Sequence, residues 1–199
     1  METIRGKMSL HLDINGFRAR LTGYHHFTLD LGTGDGRFVR VLAERHPERF
    51  VVGLDACREN LWEHSRAKQG NMLFIIAHAQ ELPCELEGLF SQVTVNFPWG
   101  SLLDGLLARD PGLIGGLHGI ARPAAQIEIR LNSGALKEAG TSLEAGAELV
   151  YGNLHGHGWE LDSPRLLQQD TLKKFPTTWA RRLAHGRDPR AVILSGRRA

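Results

Sequence analysis

The sequence predicts an α/β fold: a seven-stranded, mostly parallel sheet with helices on both faces, preceded by a short N-terminal strand or hairpin. Three observations carry that expectation. Short apolar runs alternate with helical patterns of about ten residues, the mark of βαβ units. One run, His26 to Leu31, passes directly into Gly32-x-Gly34-x-Gly36. The next run closes on an acid, Asp55.

Residues 3–13 alternate loosely and predict a strand or hairpin ahead of the core. His26 to Leu31 reads as a buried strand. Arg37 to Arg45 sets Phe38, Val39 and Leu42 on one side of a helix, which Pro47 ends. Phe50 to Leu54 is the second strand, Arg58 to Gln69 a helix, Asn71 to Ile76 the third strand and Phe90 to Val95 the fourth. Ser101 to Leu107 and Leu113 to Ala121 follow as helices, then Gln126 to Leu131 as the fifth strand. Beyond it the pattern weakens. Leu143 to Tyr151 reads as a helix, Trp159 begins a sixth strand, Thr178 to Ala184 is a short helix and Ala191 to Leu194 a last strand. The expected organisation is one domain over 1–199: an extension (1–25), a cofactor-binding core (26–131) and a substrate-recognition, sheet-closing part (132–199).

At 199 residues, 42% apolar and 23% charged, the chain suits one packed globular domain. No stretch nears the roughly 20 apolar residues that cross a bilayer. Met1 to Leu10 lacks the apolar run of a secretory signal. Cys57 and Cys84 are too few for a disulfide framework and lack metal-ligand spacing. His155 and His157, two apart in a glycine loop, read as loop residues. A cytoplasmic, metal-free protein with no membrane partner is the expectation. The net charge of +2 hides an asymmetry: Arg165 to Ala199 carries nine Lys or Arg against two Asp, +7, leaving −5 elsewhere. Such a basic segment suits an anionic partner such as nucleic acid, or else a solvated helix face.

A strand running into a glycine turn and then a helix lets the backbone approach a ligand closely. Nicotinamide and flavin enzymes share that turn, so the acids beside it decide the reading. Asp30 lies in the strand end and Asp35 between the second and third glycines. Carboxylates there would serve a pyrophosphate poorly but suit a sulfonium and an amino group. Asp55, about 20 residues past the turn, is placed to grip ribose hydroxyls. Ala77-His78-Ala79-Gln80-Glu81-Leu82-Pro83 follows strand three, the position of the loop that in methyltransferases flanks the adenine ring. Each Asp alone would read as a turn or cap residue. Together, at successive strand ends, they read as a pocket for S-adenosylmethionine. No Gly-Lys-Ser/Thr follows the glycines, which excludes a Walker loop.

Strand four ends in Asn96-Phe97-Pro98-Trp99-Gly100, similar to the Asn/Asp-Pro-Pro-aromatic loop of enzymes that methylate nitrogen in nucleobases and amides. Proline stiffens the loop, the polar head can meet a base edge, and the aromatic offers a stacking face. Trp179, flanked by Arg181 and Arg182, reads either as core or as a second stacking platform beside a phosphate grip. Trp62 and Trp159 lack such company and read as structural.

Taken together, Asp30-Leu31-Gly32-Thr33-Gly34-Asp35-Gly36-Arg37, Gly53-Leu54-Asp55, Glu59-Asn60-Leu61, Phe97-Pro98-Trp99-Gly100 and Trp179-Ala180-Arg181-Arg182-Leu183-Ala184-x-Gly186-Arg187 resemble one family. It is the 16S rRNA adenine-1408 N1-methyltransferases of aminoglycoside resistance, the kanamycin–apramycin group, with the Rossmann-like class I S-adenosylmethionine-dependent methyltransferase fold. The resemblance implies action on the 30S subunit at helix 44 of 16S rRNA, and the chain is expected to be a monomer. It implies a flipped adenine between Trp99 and Trp179, with Phe97 and Pro98 shaping the loop. Asp30, Gly32, Thr33, Gly34, Asp55, Ala79, Gln80, Asn96, Ser101 and Thr177 would form the cofactor pocket. Arg182, Arg187 and Arg190, with Arg66 and Lys68 on the predicted helix after strand two, would contact RNA.

Three features depart from the family pattern. Gln80 stands where an acid is expected, Asp188-Pro189-Arg190 interrupts the basic run, and the connection from Asn132 to Leu143 is shorter than the family norm. The competing readings are a tRNA guanine-N7 or other RNA-base methyltransferase, a small-molecule N-methyltransferase, and a non-catalytic RNA-binding protein with a vestigial cofactor fold.

Overall fold

The computed structural model describes residues 1–186 and 188–199. Its N-terminal segment folds back as an antiparallel hairpin, β1 (Glu2–Arg5) and β2 (Met8–His11), turning at Gly6 with φ +61°. The central strands are apolar on both sides, which forces helices onto both faces. These are β3 (His26–Leu31), β4 (Arg49–Asp55), β5 (Met72–Ile76), β6 (Phe90–Asn96) and β7 (Ala121–Asn132), all parallel. β10 (Ala191–Arg198) runs antiparallel to β7 and takes β8 (Trp159–Leu161) and β9 (Arg165–Leu166) on its other side. The order is β2-β1-β5-β4-β3-β6-β7-β10-β8, so the expected seven-stranded sheet is present, widened by the hairpin at one edge and β9 at the other.

One face carries the larger core. Leu103 and Leu106 of α3 (Gly100–Ala108), Leu113 and Leu117 of α4 (Pro111–Ile120) and Val150 of α6 (Leu143–His155) pack there on Leu29, Val93 and Ile127. On the other face, Val39 and Ala43 of α2 (Arg37–Arg45) meet Val51 and Phe74. A third cluster joins Phe97 to α7 (Gln169–Lys174) and α8 (Thr178–Ala184). Among the described residues no helix is long and apolar enough to cross a membrane.

The helix predicted over Arg58 to Gln69 is not formed. The amides of Asn60, Leu61 and Trp62 each bond to the carbonyl three residues back, and His64–Arg66 is a 3₁₀ turn. Only Leu61, His64 and Ser65 are buried, too few to give a helix an apolar face. The ends are pinned instead: the Cys57 amide donates to Asp55 Oδ1 at 2.9 Å, and Ser65 Oγ accepts from the Gly6 amide at 2.8 Å. Three short helices had no counterpart in the sequence reading: α1 (Ile14–Leu21), α5 (Ser133–Glu138) and α7. Caps rather than periodicity define two of them. Asp13 Oδ1 accepts from Gly16 N at 2.7 Å, and Asn132 Oδ1 from Ala135 N at 2.8 Å.

Gly36 begins α2 at φ +75°, and a Cβ there would sit 2.5 Å from Phe74 Cε1. Gly36→Ala therefore combines left-handed strain with overpacking. It should cost roughly 2–4 kcal/mol of stability, measured by urea unfolding.

Candidate active site

In a doubly wound sheet, the crevice opens at the carboxyl ends of the strands where their order reverses. Here that point lies between β3 and β6, since β4 and β5 extend one way and β7 the other. A cavity sits there, and it gathers every residue assigned from the sequence to cofactor or base. Asp30, Gly32, Thr33 and Gly34 come from β3 and its turn, and Asp55 from the end of β4. Ala79 and Gln80 follow β5, while Asn96, Phe97, Pro98, Trp99 and Ser101 lead from β6 into α3. Thr177 and Trp179 close it from α8.

Asp30 is the polar centre. It is 1% exposed, and burial pushes its carboxyl up to about 6 against the pull of nearby donors and the Arg130 charge. Oδ1 accepts from Thr94 Oγ1 and from Asn96 Nδ2, both at 2.7 Å. The Thr33 hydroxyl also favours the ionised form, yet it has no hydrogen-bond partner of ordinary geometry. Strand register explains the arrangement: Asp30 pairs with Thr94, and Asn96 pairs with Arg130. A polar row thus crosses three strand ends.

Asp55 lies across the turn, its carboxyl raised by burial against backbone hydrogen bonds. Its Oδ2 accepts from Gly34 N at 2.8 Å. The turn is bound to β4 as well, because the Gly32 and Thr33 amides both donate to Leu54 O. Gly34 has φ +58°, and a Cβ there would meet nothing within 4 Å. Asp35, which the sequence reading aimed at a sulfonium, is engaged otherwise: Oδ1 accepts from Arg37 N and Oδ2 from Thr178 Oγ1 at 2.7 Å. Gln80 Nε2 donates to Ser101 O at 3.0 Å, linking two walls. Thr177 caps α8 by accepting from Ala180 N at 3.0 Å.

The loop after β6 is bent at Phe97, a non-glycine residue at φ +55°, and its amide donates to Arg130 O at 2.8 Å. That bend turns Trp99 outward, 41% exposed, facing Trp179, 52% exposed. The two rings stack on each other, centroids 5.5 Å apart and planes 21° apart. A base seated between them needs the two planes about 7 Å apart, so the stacked rings must separate to admit it. Trp99 Nε1 donates to Glu138 Oε1 of α5 at 3.3 Å, and Arg182 lies 5.6 Å from the Trp179 ring centroid.

The remaining cations divide. Arg182 is exposed and, among the described residues, makes no ion pair. Arg190 is held by Asp188 and Glu144, and Arg187 lies outside the described residues. Arg66 lies against Gly6, while Lys68 lines a separate cleft between β1 and β5 with Arg5 and Arg20. Trp159 is buried, and Trp62 carries Lys7 over its ring at 5.1 Å. Sequence reasoning missed Arg130, Glu138, Phe175 and Thr178. Each acts through a partner distant in the chain, which periodicity does not register. Among the described residues no three His, Cys, Asp or Glu are grouped as a metal site requires.

Comparisons with known proteins point to one family. A family model described as "NpmA: 16S rRNA (adenine(1408)-N(1))-methyltransferase" matches residues 2–198. A 16S rRNA (adenine(1408)-N(1))-methyltransferase from Streptoalloteichus hindustanus is 34% identical over 214 residues, spanning 99% of each chain. The crystal structure of the 16S rRNA methyltransferase KamB superposes with a TM-score of 0.89 at 30% identity, covering all of both chains. A mutant of the 16S rRNA (adenine(1408)-N(1))-methyltransferase from Catenulisporales acidiphilia, solved with cosubstrate SAM, gives 0.87 at 25% identity over 100% of this chain and 97% of that one.

The raised Asp30 carboxyl has a consequence for stability. Below about pH 4 it is protonated folded and unfolded alike; above that the unfolded chain ionises first, so its burial destabilises increasingly up to about pH 6. Asp30→Asn should gain on the native chain as pH rises from about 4 to 7, by up to about 3 kcal/mol. Thermal melts across that range test it, and an advantage that stays flat contradicts the buried charge.

Proposed function

The chain belongs to the 16S rRNA (adenine(1408)-N(1))-methyltransferase family, and from that footing we propose how its residues divide the work. It is an S-adenosylmethionine-dependent enzyme that methylates N1 of adenine 1408 in 16S rRNA, a change that confers aminoglycoside resistance. The observation that carries the assignment of residues is their convergence: side chains from Asp30 to Trp179 line one cavity at the reversal of strand order.

The cavity suits the cofactor. Asp30 offers a carboxylate whose Oδ2 is not taken by Thr94 or Asn96, fit for an ammonium group. Asp55 has both oxygens anchored by backbone amides, keeping lone pairs for ribose hydroxyls. S-adenosylmethionine supplies an electrophilic methyl group. Ala79 and Gln80 flank the adenine end, and Thr33, Gly34, Ser101 and Thr177 complete the wall.

N1 of a neutral adenine has a free lone pair and no proton to lose, so the chain needs no general base. Positioning does the work. Phe97 and Pro98 hold the loop, and Trp99 and Trp179 take the flipped base between their faces. The product ring is cationic, and indole faces favour charge as it builds. Arg182, beside Trp179 and outside any described ion pair, is the leading contact for the rRNA backbone of the 30S subunit around helix 44. Arg66 lies beside the Gly6 turn of the hairpin and Lys68 lines a cleft separate from the cavity, and Arg190 would have to exchange its acids for phosphate.

Two outcomes are expected. In cells expressing the protein, primer extension on 16S rRNA stops strongly at adenine 1408, because a methyl on N1 blocks pairing. No stop there, from protein that still binds S-adenosylmethionine, overturns the assignment. Trp99→Ala and Trp179→Ala should each weaken binding of the base by about 1–3 kcal/mol while calorimetry shows cofactor affinity intact. A double variant that methylates normally would rule out the sandwich.

A further inference from the structure

We propose that Arg130 is a positioning residue, which fixes the orientation of the Asn96 amide and thereby joins the cofactor end of the cavity to the Phe97 loop. The inference rests on Asp30 serving the cofactor. An asparagine amide presents a donor at one end and an acceptor at the other, and a half-turn exchanges them. Guanidinium has donors only. Arg130 Nη1 donates to Asn96 Oδ1 at 2.9 Å, so the acceptor end must face the arginine. The donor end, Nδ2, is thereby aimed at Asp30 Oδ1, 2.7 Å away.

Arg130 is itself held rigidly. Its Nη2 donates to Glu128 Oε2 at 2.5 Å, its side chain is 12% exposed, and the guanidinium lies 4.7 Å from the Phe175 ring centroid. Phe175 in turn meets Phe97 edge-on at 5.6 Å and stacks on Phe38 of α2 at 5.4 Å. The Arg130 carbonyl takes the Phe97 amide. One residue therefore touches Asn96 with its head, the Phe97 loop with its backbone, and the aromatic floor with its flat face.

Without Arg130, Asn96 could turn its oxygen toward Asp30. Two acceptors would then face each other, an arrangement tolerated only when the carboxyl is protonated and cannot attract an ammonium. The defect should accordingly deepen in mild acid.

The test uses the full chain and calorimetric titration with S-adenosylmethionine between about pH 6 and pH 9. Arg130→Met and Asn96→Ala should each weaken binding about tenfold at pH 7.5, and the Arg130→Met deficit should grow toward pH 6. The double variant should bind within about twofold of Asn96→Ala alone, since both act through one amide. Arg130→Lys, whose ammonium also has donors only, should recover most of the affinity. Unchanged affinity in Arg130→Met, losses that multiply in the double variant, or a pH-independent deficit would each overturn the proposal. If Arg130→Met fails to fold, judged by circular dichroism, Arg130→Gln is read by the same criteria. Asp30→Asn separates the two claims: retained affinity there removes Asp30 from the cofactor site, while the Asn96–Arg130 coupling still decides the positioning role.

Discussion

A carboxylate buried at the reversal of strand order is the constraint around which this molecule is arranged. Asp30 costs free energy to bury, and the fold tolerates it by placing donors on the neighbouring strand: Thr94 opposite and Asn96 two residues on. Those donors require β3 and β6 to stay in register. The register carries Asn96 alongside Arg130 on β7, so the electrostatic demand of one side chain propagates across three strands. The loop that follows β6 inherits its starting point from this row. Its bend at Phe97 then determines where Trp99 emerges.

The second half of the cavity is supplied from far along the chain. α8 reaches the glycine turn through the Thr178–Asp35 hydrogen bond, spanning 143 residues of sequence, and Phe175 lies between Phe38 and Phe97. The antiparallel β10, paired with β7 over seven residues, holds the end of this excursion against the sheet. The elements that carry Trp99 and Trp179 and those that carry Asp30 and Asp55 are therefore not independent modules. Each rests on contacts with the other.

Much of this was legible beforehand, for identifiable reasons. A run such as Phe50-Val51-Val52-Gly53-Leu54 has no polar side to offer water, so it can only be a covered strand. Gly32, Gly34 and Gly36 all take positive φ, the conformations their spacing implies. The acids of the pocket were visible because strand ends are where ligands meet a parallel sheet. The segment from Arg58 to Gln69 misled because its composition favours helix while its burial does not. Only Leu61 among its apolar side chains is fully enclosed, and attachments to Asp55 and to the hairpin decide its path. The helices α5 and α7 are six residues each, below the length at which a period can be seen. Asp35 illustrates another kind of opacity: its position was plain, but not that Thr178 would claim one of its oxygens.

The mutual stacking of Trp99 and Trp179 bears on what the cavity admits. Such a pair holds itself together by about 0.5–1.5 kcal/mol beyond the area it hides. A ring that slides between must replace that cohesion on both faces at once. A purine, with its broad surface, can do so; a pyrimidine restores less. If the base enters between the indoles as proposed, the pair would act as a threshold, excluding small or poorly flattened guests before any hydrogen bond is compared, and selectivity would begin with the contact the protein makes to itself.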